Sequence, residues 1–248
     1  LDGRGPYADE LYPHLRALGT IPQRDRLVLA VHADHDIHTF DDLRRRHPAL
    51  KIATAINDGV NHIGMAAHRI MELAGVPRER LESWGGRYLE GERPTDSINQ
   101  VLSGAADAIF HEAIMTQWWQ DLAEQVDLTF VPVEREVLGQ LARDYGWPSA
   151  TLPAGYLRGL DRTLETLDFS DFLLIARAEM TGDVAELIAW CIAETRDALE
   201  SQYRHIPPER SPVTWPLVPA TLARTAIPLH PGARTYYASK GYLEDKER

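Results

Sequence analysis

The sequence predicts an α/β fold with a largely parallel sheet, divided into two lobes between which the chain crosses twice. Three observations predict it. Apolar runs rich in Val and Leu recur, led by "DRLVLAVHAD" at 25–34, and such runs suit strands buried on both faces. Amphipathic helical patterns alternate with these runs, as they do where helices link parallel strands. A second run, "SDFLLIARAEM" at 170–180, repeats the pattern of the first after a complete α/β block. Two such strands mark crossovers, with one lobe at 34–165 and the other made of 1–33 and 166–248.

The elements follow in order. "TFDDLRRRHPAL" reads as a short helix, with Thr39 as N-cap and Asp41 and Asp42 favouring its first turn. "LKIATAI" is a strand. "NHIGMAAHRIMELAG" is a helix with Ile63, Ala66, Ala67, Ile70 and Leu73 on one side and Gly75 as its stop. "LESWGGRYLEG" reads as a strand with a glycine break. "TDSINQVLSGAADAIF" gives a helix ending at Gly104, then a strand over Ala108–Phe110. "AIMTQWWQDLAEQV" is a helix in which adjacent Trp118 and Trp119 point apart, one of them into the core. "DLTFVPVE" is a strand. Val184–Tyr203 reads as one long helix with Leu187 and Trp190 on its apolar side and Cys191 buried. "HIPPERSPVTWPLVP" is too rich in proline for regular helix. "LHPGARTYYASKGYLEDKER" is a final helix entered by a tight turn at His230–Gly232.

Composition narrows the function. The formal net charge is −11 over 248 residues, which argues against duplex nucleic acid and against a polybasic membrane-surface binder. One cysteine excludes an intrachain disulfide. No apolar run has the length of a membrane span, and no signal peptide is visible.

Several groups of residues can carry chemistry. Asn57, Asp58, Asn61 and His62 stand between a strand end and a helix start, where backbone N–H groups and the macrodipole favour an anion. The bland reading is a turn at Asn57 and an N-cap at Asn61. His111 and Glu112 end a strand before a helix; Glu112 could hold an amine and His111 could donate a hydrogen bond. This is not the H-E-x-x-H metal motif, since position 115 is Met115. Trp84 and Arg87 flank two glycines, and Arg87 could pair with a carboxylate. His32, Asp34, His35, Asp36 and His38 are dense enough to suggest metal ligation, but a solvated turn is the favoured reading.

Segments spread along the chain resemble the TAXI-type solute-binding receptors of tripartite ATP-independent periplasmic (TRAP) transporters. The matches, in order, are "YPHLRALGTIPQRDRLVLAVHADHDIHTFDDL", "LKIATA" with "NHIGMAAHRIMELAGV", "INQVLSGAADAIF", "TLPAGYL" and the more specific "AIPLHPGARTYYASKGYL". The family's glycine-rich first turn has no counterpart, so the first lobe is expected to be incomplete at its N-terminus. Asn57, Asn61 and His62 stand where the family carries Ser, Gly and Thr. The resemblance implies a periplasmic binding protein type II fold with hinge crossover strands and no catalysis. It also implies a periplasmic or extracytoplasmic location and membrane TRAP subunits as partners. The ligand would be a small carboxylate-bearing solute held between the lobes, or an amino acid if Glu112 faces it, with Tyr156 nearby. No cofactor, metal or nucleic acid is expected. An enzyme related to the thiamine-precursor synthases and a ligand-sensing domain use the same fold and are the rival readings.

Overall fold

The computed structural model describes residues 12–113 and 116–243, so Ile114, Met115 and the last turns of the expected C-terminal helix lie outside it. The chain divides into two compact units, one reaching Arg24 and resuming at Ser170, the other spanning Asp25–Phe169. Each passage between units is a short segment with a strand on either side: β1 (Leu15–Ile21) then β2 (Arg26–His32), and β8 (Leu164–Asp168) then β9 (Phe172–Arg177).

In the smaller unit β1 and β9 pair antiparallel, with a register shift between Ala17 and Gly19. Against them lie α7 (Gly182–Glu194), α8 (Arg196–Ser201), α9 (Pro219–Leu222) and α10 (Pro231–Ser239). The expected long helix is broken at Thr195, whose hydroxyl donates to the Cys191 carbonyl at 2.6 Å. Its inner face also differs from expectation. The buried residues are Ala185, Ala189 and Ala193, while Leu187 and Trp190 are 57% and 43% exposed and Cys191 is exposed. The physical reason is a close helix crossing: a side chain on Gly232 of α10 would collide with the Gly182 carbonyl. Only small residues fit such an approach, so the large ones turn outward. His230 caps α10 as the turn predicts, its Nδ1 accepting from Gly232 N at 3.2 Å.

The larger unit holds a seven-stranded sheet in the order β4-β3-β5-β2-β8-β7, with β6 also on β2. Its further strands are β3 (Lys51–Ala55), β4 (Arg87–Gly91), β5 (Ala108–Glu112), β6 (Leu128–Val131) and β7 (Ser149–Leu152). Only β4-β3-β5 pair parallel; β2 is antiparallel to β5, β6 and β8, and β7 to β8. The sheet is therefore less parallel than expected. An apolar run reports burial on both faces, and β2 has that burial because it is central, whatever its direction. The same pairings put β2 wholly in the larger unit, where residues up to 33 were expected in the smaller one.

Helices cover both faces. Leu27, Leu29, Ile52 and Phe110 pack under α1 (Phe40–Arg46), α2 (His62–Leu73), α3 (Arg78–Ser83) and α6 (Arg135–Tyr145). Val28, Ala30, Ala53 and Ile109 pack under α4 (Pro94–Leu102) and α5 (Thr116–Gln125). Trp119 is the core member of the tryptophan pair, and Trp118 is 38% exposed. Thr39 caps α1, its hydroxyl oxygen accepting from Asp42 N at 3.1 Å. "LESWGGRYLEG" is α3, a Gly85–Gly86 turn and β4 rather than one strand.

The first turn of α2 lies directly on the end of β3. A Cβ at Gly64 would collide with the Ile56 carbonyl oxygen and come within 2.6 Å of the Ala55 carbonyl oxygen. Both obstacles are backbone, so nothing flexible can yield. Alanine gains about 1 kcal/mol of helix propensity, but overpacking costs about 1–3 kcal/mol and rises when backbone must move. Gly64→Ala is expected to lower stability by about 2 kcal/mol in urea unfolding; an unchanged or raised midpoint would contradict this contact.

Candidate ligand site at the strand ends of the larger unit

Strand direction decides which residues meet. β3, β4, β5 and β8 run the same way, so their C-terminal ends share one edge of the sheet. β2 begins at that edge, and β7, running oppositely, is entered there from Trp147. The edge thus gathers the 56–61 loop, Gly91, Glu112, Asp25 and Phe169. Loops at strand C-termini followed by helix N-termini are the ordinary place for ligands in α/β proteins.

Of the residues singled out in the sequence, Asn57, Asn61, His62, His111 and Glu112 reach this edge. Trp84 and Arg87 do not: Arg87 pairs with Lys51 at the opposite end of β3, four residues from Ala55 or roughly 13 Å along the strand. Trp84 stacks there on His47, with ring centroids 4.7 Å apart. Tyr156 is 7% exposed and belongs to the core under α4 and α5, in the loop beyond β7 at that far edge.

The loop is largely self-satisfied. Asn61 Oδ1 accepts from Ile63 N at 3.0 Å and Gly64 N at 3.3 Å, so this residue is the N-cap of α2. Asp58 Oδ1 accepts from Val60 N and Asn61 N, both at 2.9 Å. Those backbone donors hold the Asp58 carboxyl below its usual range. Its negative charge therefore sits at the positive end of the α2 dipole. Asn57 is exposed.

His62, the first residue of α2, points into a group of rings that the sequence reading missed. Its ring stacks on Phe169 at 5.0 Å and meets Trp147 edge-on at 4.8 Å, and Trp147 in turn lies 4.5 Å from Tyr145. One flank of His62 remains open to solvent. The other is dry, and that desolvation lowers its pKa. No sequence signal joins position 62 to 147 and 169; only the strand order does.

Glu112 meets a second carboxylate. Its side chain hydrogen-bonds that of Asp25, and burial pushes its pKa up. Asp25 is 1% exposed, and its Oδ1 also accepts from Ala113 N at 2.9 Å. The Asp25 carbonyl accepts from Phe169 N at 3.1 Å. Acid pair and aromatic group are thus linked through Phe169. Two carboxyls in hydrogen-bonding contact interact strongly and titrate as a pair. The nearby Arg26 guanidinium is engaged by Asp168 at 2.8 Å.

His111 is 1% exposed, on the opposite face of β5 from Glu112, and neither ring nitrogen has a hydrogen-bond partner among the described residues. Burial pushes its pKa down to about 4. His68, against Tyr88 with Arg78 and Glu90 nearby, is also pushed down to about 4, chiefly by burial.

Two further features lie elsewhere in the larger unit. A groove of ≈600 Å³ along β7 is lined by Arg26, Arg135, Ser149, Thr151 and Glu165, but its charges are paired, Arg135 with Glu165 at 2.5 Å. In the His32–His38 turn Asp36 is hydrogen-bonded to His38 at 3.0 Å and ion-paired with Arg46 at 2.6 Å. Among the described residues no three His, Cys, Asp or Glu side chains converge as metal ligands.

Comparison with known proteins shows the family. Residues 1–241 match the NMT1-like family, and the chain belongs to it. No curated protein matches the sequence. Solved structures that resemble it include the substrate-binding protein of an amino acid ABC transporter, at 14% identity and a TM-score of 0.36 over 74% of this chain and 61% of that one. The L-cystine solute receptor of Neisseria gonorrhoeae aligns at 13% identity and 0.28, over 55% of this chain and 47% of that receptor. The alkanesulfonate-binding protein of Xanthomonas axonopodis pv. citri, bound to MOPS, aligns at 13% and 0.34, over 97% and 74%. The chain thus spans less than two thirds of the length of the first two.

The histidines generate a pH prediction. A histidine whose folded pKa lies below its unfolded value near 6.5 is bound as the neutral form. Its stabilising share is complete above pH 6.5 and is lost as pH falls from 6.5 towards 4. For His111 this amounts to about 2 kcal/mol between pH 7 and pH 5. Glu112 acts in the opposite sense, because protonation relieves its burial. Urea unfolding should therefore show stability falling from pH 7 to pH 5, and His111→Phe should flatten that slope. Equal slopes in the two proteins would remove His111 from the account.

Proposed function

We propose that the chain is a non-catalytic solute-binding receptor that works outside the cytoplasm, and that its solute is an amino-acid-type zwitterion. The Asp25–Glu112 pair carries this reading: two carboxyls in contact at the strand ends offer acceptors suited to an ammonium group. A purely anionic solute is less well served at the same edge. Asn61 already occupies two N–H groups of α2, and the Asp58 charge opposes a second anion there. Donors within reach of a solute's carboxylate there are the His62 ring N–H and the Asn57 amide.

Membership of the NMT1-like family supports the receptor class, and the resemblance to TAXI-type receptors supports membrane TRAP subunits as the partners served. Delivery to such subunits requires only that the loaded and empty receptor differ in conformation.

Isothermal calorimetry with L-amino acids and with matching organic acids tests the solute class. An amino acid is expected to bind, and Glu112→Gln is expected to weaken it by about 1.5–3 kcal/mol, the usual worth of a hydrogen bond to a charged group. An organic acid without an amine binding as tightly as its amino analogue would defeat the proposal.

A further inference from the structure

We propose that the outer edge of β9 seats a second copy of this chain, the two smaller units joining edge to edge into one four-stranded antiparallel sheet about a two-fold axis at Ile175. The interface belongs to the smaller unit and does not depend on the solute. Among the described residues β9 pairs with β1 alone. The far side of β1 is closed: Ala17 N donates to the Pro228 carbonyl at 2.9 Å, and the Ala17 carbonyl accepts from His230 N at 2.8 Å. Those two bonds also give the direction of the peptide groups on β9. Ala17 stands opposite Ile175. In an antiparallel ladder, opposite residues turn their peptide groups either both towards each other or both away. Since Ala17 turns away from β9, Ile175 turns away from β1, and by alternation so do Leu173 and Arg177. Ala178, whose N–H donates to the His14 carbonyl at 2.6 Å, belongs to the alternate set that faces β1.

Three outward residues centred on Ile175 match themselves. Turned through half a rotation about that residue, a second β9 sets Ile175 of one copy against Ile175 of the other and Leu173 against Arg177. Each outward N–H then meets a C=O, as a two-fold interface requires. A sheet of two strands is marginal by itself, and one of four is not. The side chains agree with closure. Ile175, Phe172 and Leu174 are 54%, 49% and 37% exposed, and seven of the ten exposed large hydrophobic side chains among the described residues lie in the smaller unit. Proteins ordinarily guard an edge strand with proline, charge or a bulge. The end strands of the larger sheet are guarded: β7 lies between Pro148 and Pro153, and β4 carries Arg87 and Glu90. β9 has no proline, and its one charge is its last residue, Arg177, already paired with Glu179 at 3.2 Å. The net charge of each copy opposes association weakly, because exposed charges more than about 10 Å apart are screened.

The test is sedimentation equilibrium of the full chain, which is expected to run at twice its 27.9 kDa at micromolar concentration. Ile175→Lys sets two like charges opposite each other at the axis, in a position already half in solvent. It is expected to weaken the dimer about thirtyfold or more, the factor for a central interface residue. Leu102→Lys, at an exposed apolar position of the larger unit, is expected to leave association unchanged. Amide hydrogen exchange gives a second reading on the wild-type chain, which decides the matter if Ile175→Lys does not melt cooperatively. The Leu173, Ile175 and Arg177 amides are expected to be protected in the dimer and to lose protection on dilution to monomer. A monomer in which the three amides exchange freely would overturn the proposal. So would a monomer in which they stay protected, because another stretch of polypeptide would then hold the edge. A dimer that tolerates Ile175→Lys and leaves those amides unprotected would put the interface on another face and overturn it as well.

Discussion

The larger unit depends on how strand β2 divides its two edges. On one side it pairs with β5 along its length. On the other its first two residues take β8 and its last four take β6. A central strand with both edges occupied leaves no unpaired backbone, so the strand is the cheapest place for an uninterrupted apolar run. The division also fixes direction. Because β2 is antiparallel to both β5 and β8, the ends of those strands fall on one edge, where the start of β2 lies between them. Glu112, Asp25 and Phe169 are neighbours for that reason, although 88 residues separate Asp25 from the backbone it caps at Ala113.

Local charge and global charge point in different directions at this edge. The chain carries −11 overall, but exposed charges more than about 10 Å away are screened at ordinary ionic strength. The buried pair is not screened in that way. Contact between the Asp25 and Glu112 carboxyls couples their titration, and the Arg26 guanidinium alongside is engaged by Asp168. The histidines show the same economy of charge: His62, His68 and His111 are all kept neutral by desolvation.

Much of the secondary structure was legible in the sequence because caps and stops are local. Thr39, Asn61, Gly75 and His230 each sit where their side chain or missing side chain predicts. Strand direction was not legible, since burial and periodicity are the same for parallel and antiparallel neighbours. The packed face of α7 was misjudged because hydrophobicity ranks Leu187 and Trp190 above alanine, whereas the close crossing at Gly182 and Gly232 selects for size. At the candidate site, Asn61 and Glu112 could be found from their places at element ends. Trp84 and Arg87 also sit at element ends, but on the far side of the sheet, and Tyr156 lies in the core. The Asp25 partner and the ring group around His62 required the fold, because contacts across 85 or more residues leave no pattern in a single sequence.

The meeting of Gly64 with the carbonyls of Ala55 and Ile56 has a consequence for recognition. A helix whose first turn rests backbone to backbone on a strand cannot tilt or slide without losing that seat. The Asn61-capped start of the helix, with the His62 ring on it, is therefore set before any solute arrives, and the ordering entropy is charged to folding and not to association. A loop between two such fixed points can vary its residues freely without moving the helix that follows. That separation lets one scaffold keep its frame while the short segment from Asn57 to Val60 changes what it admits.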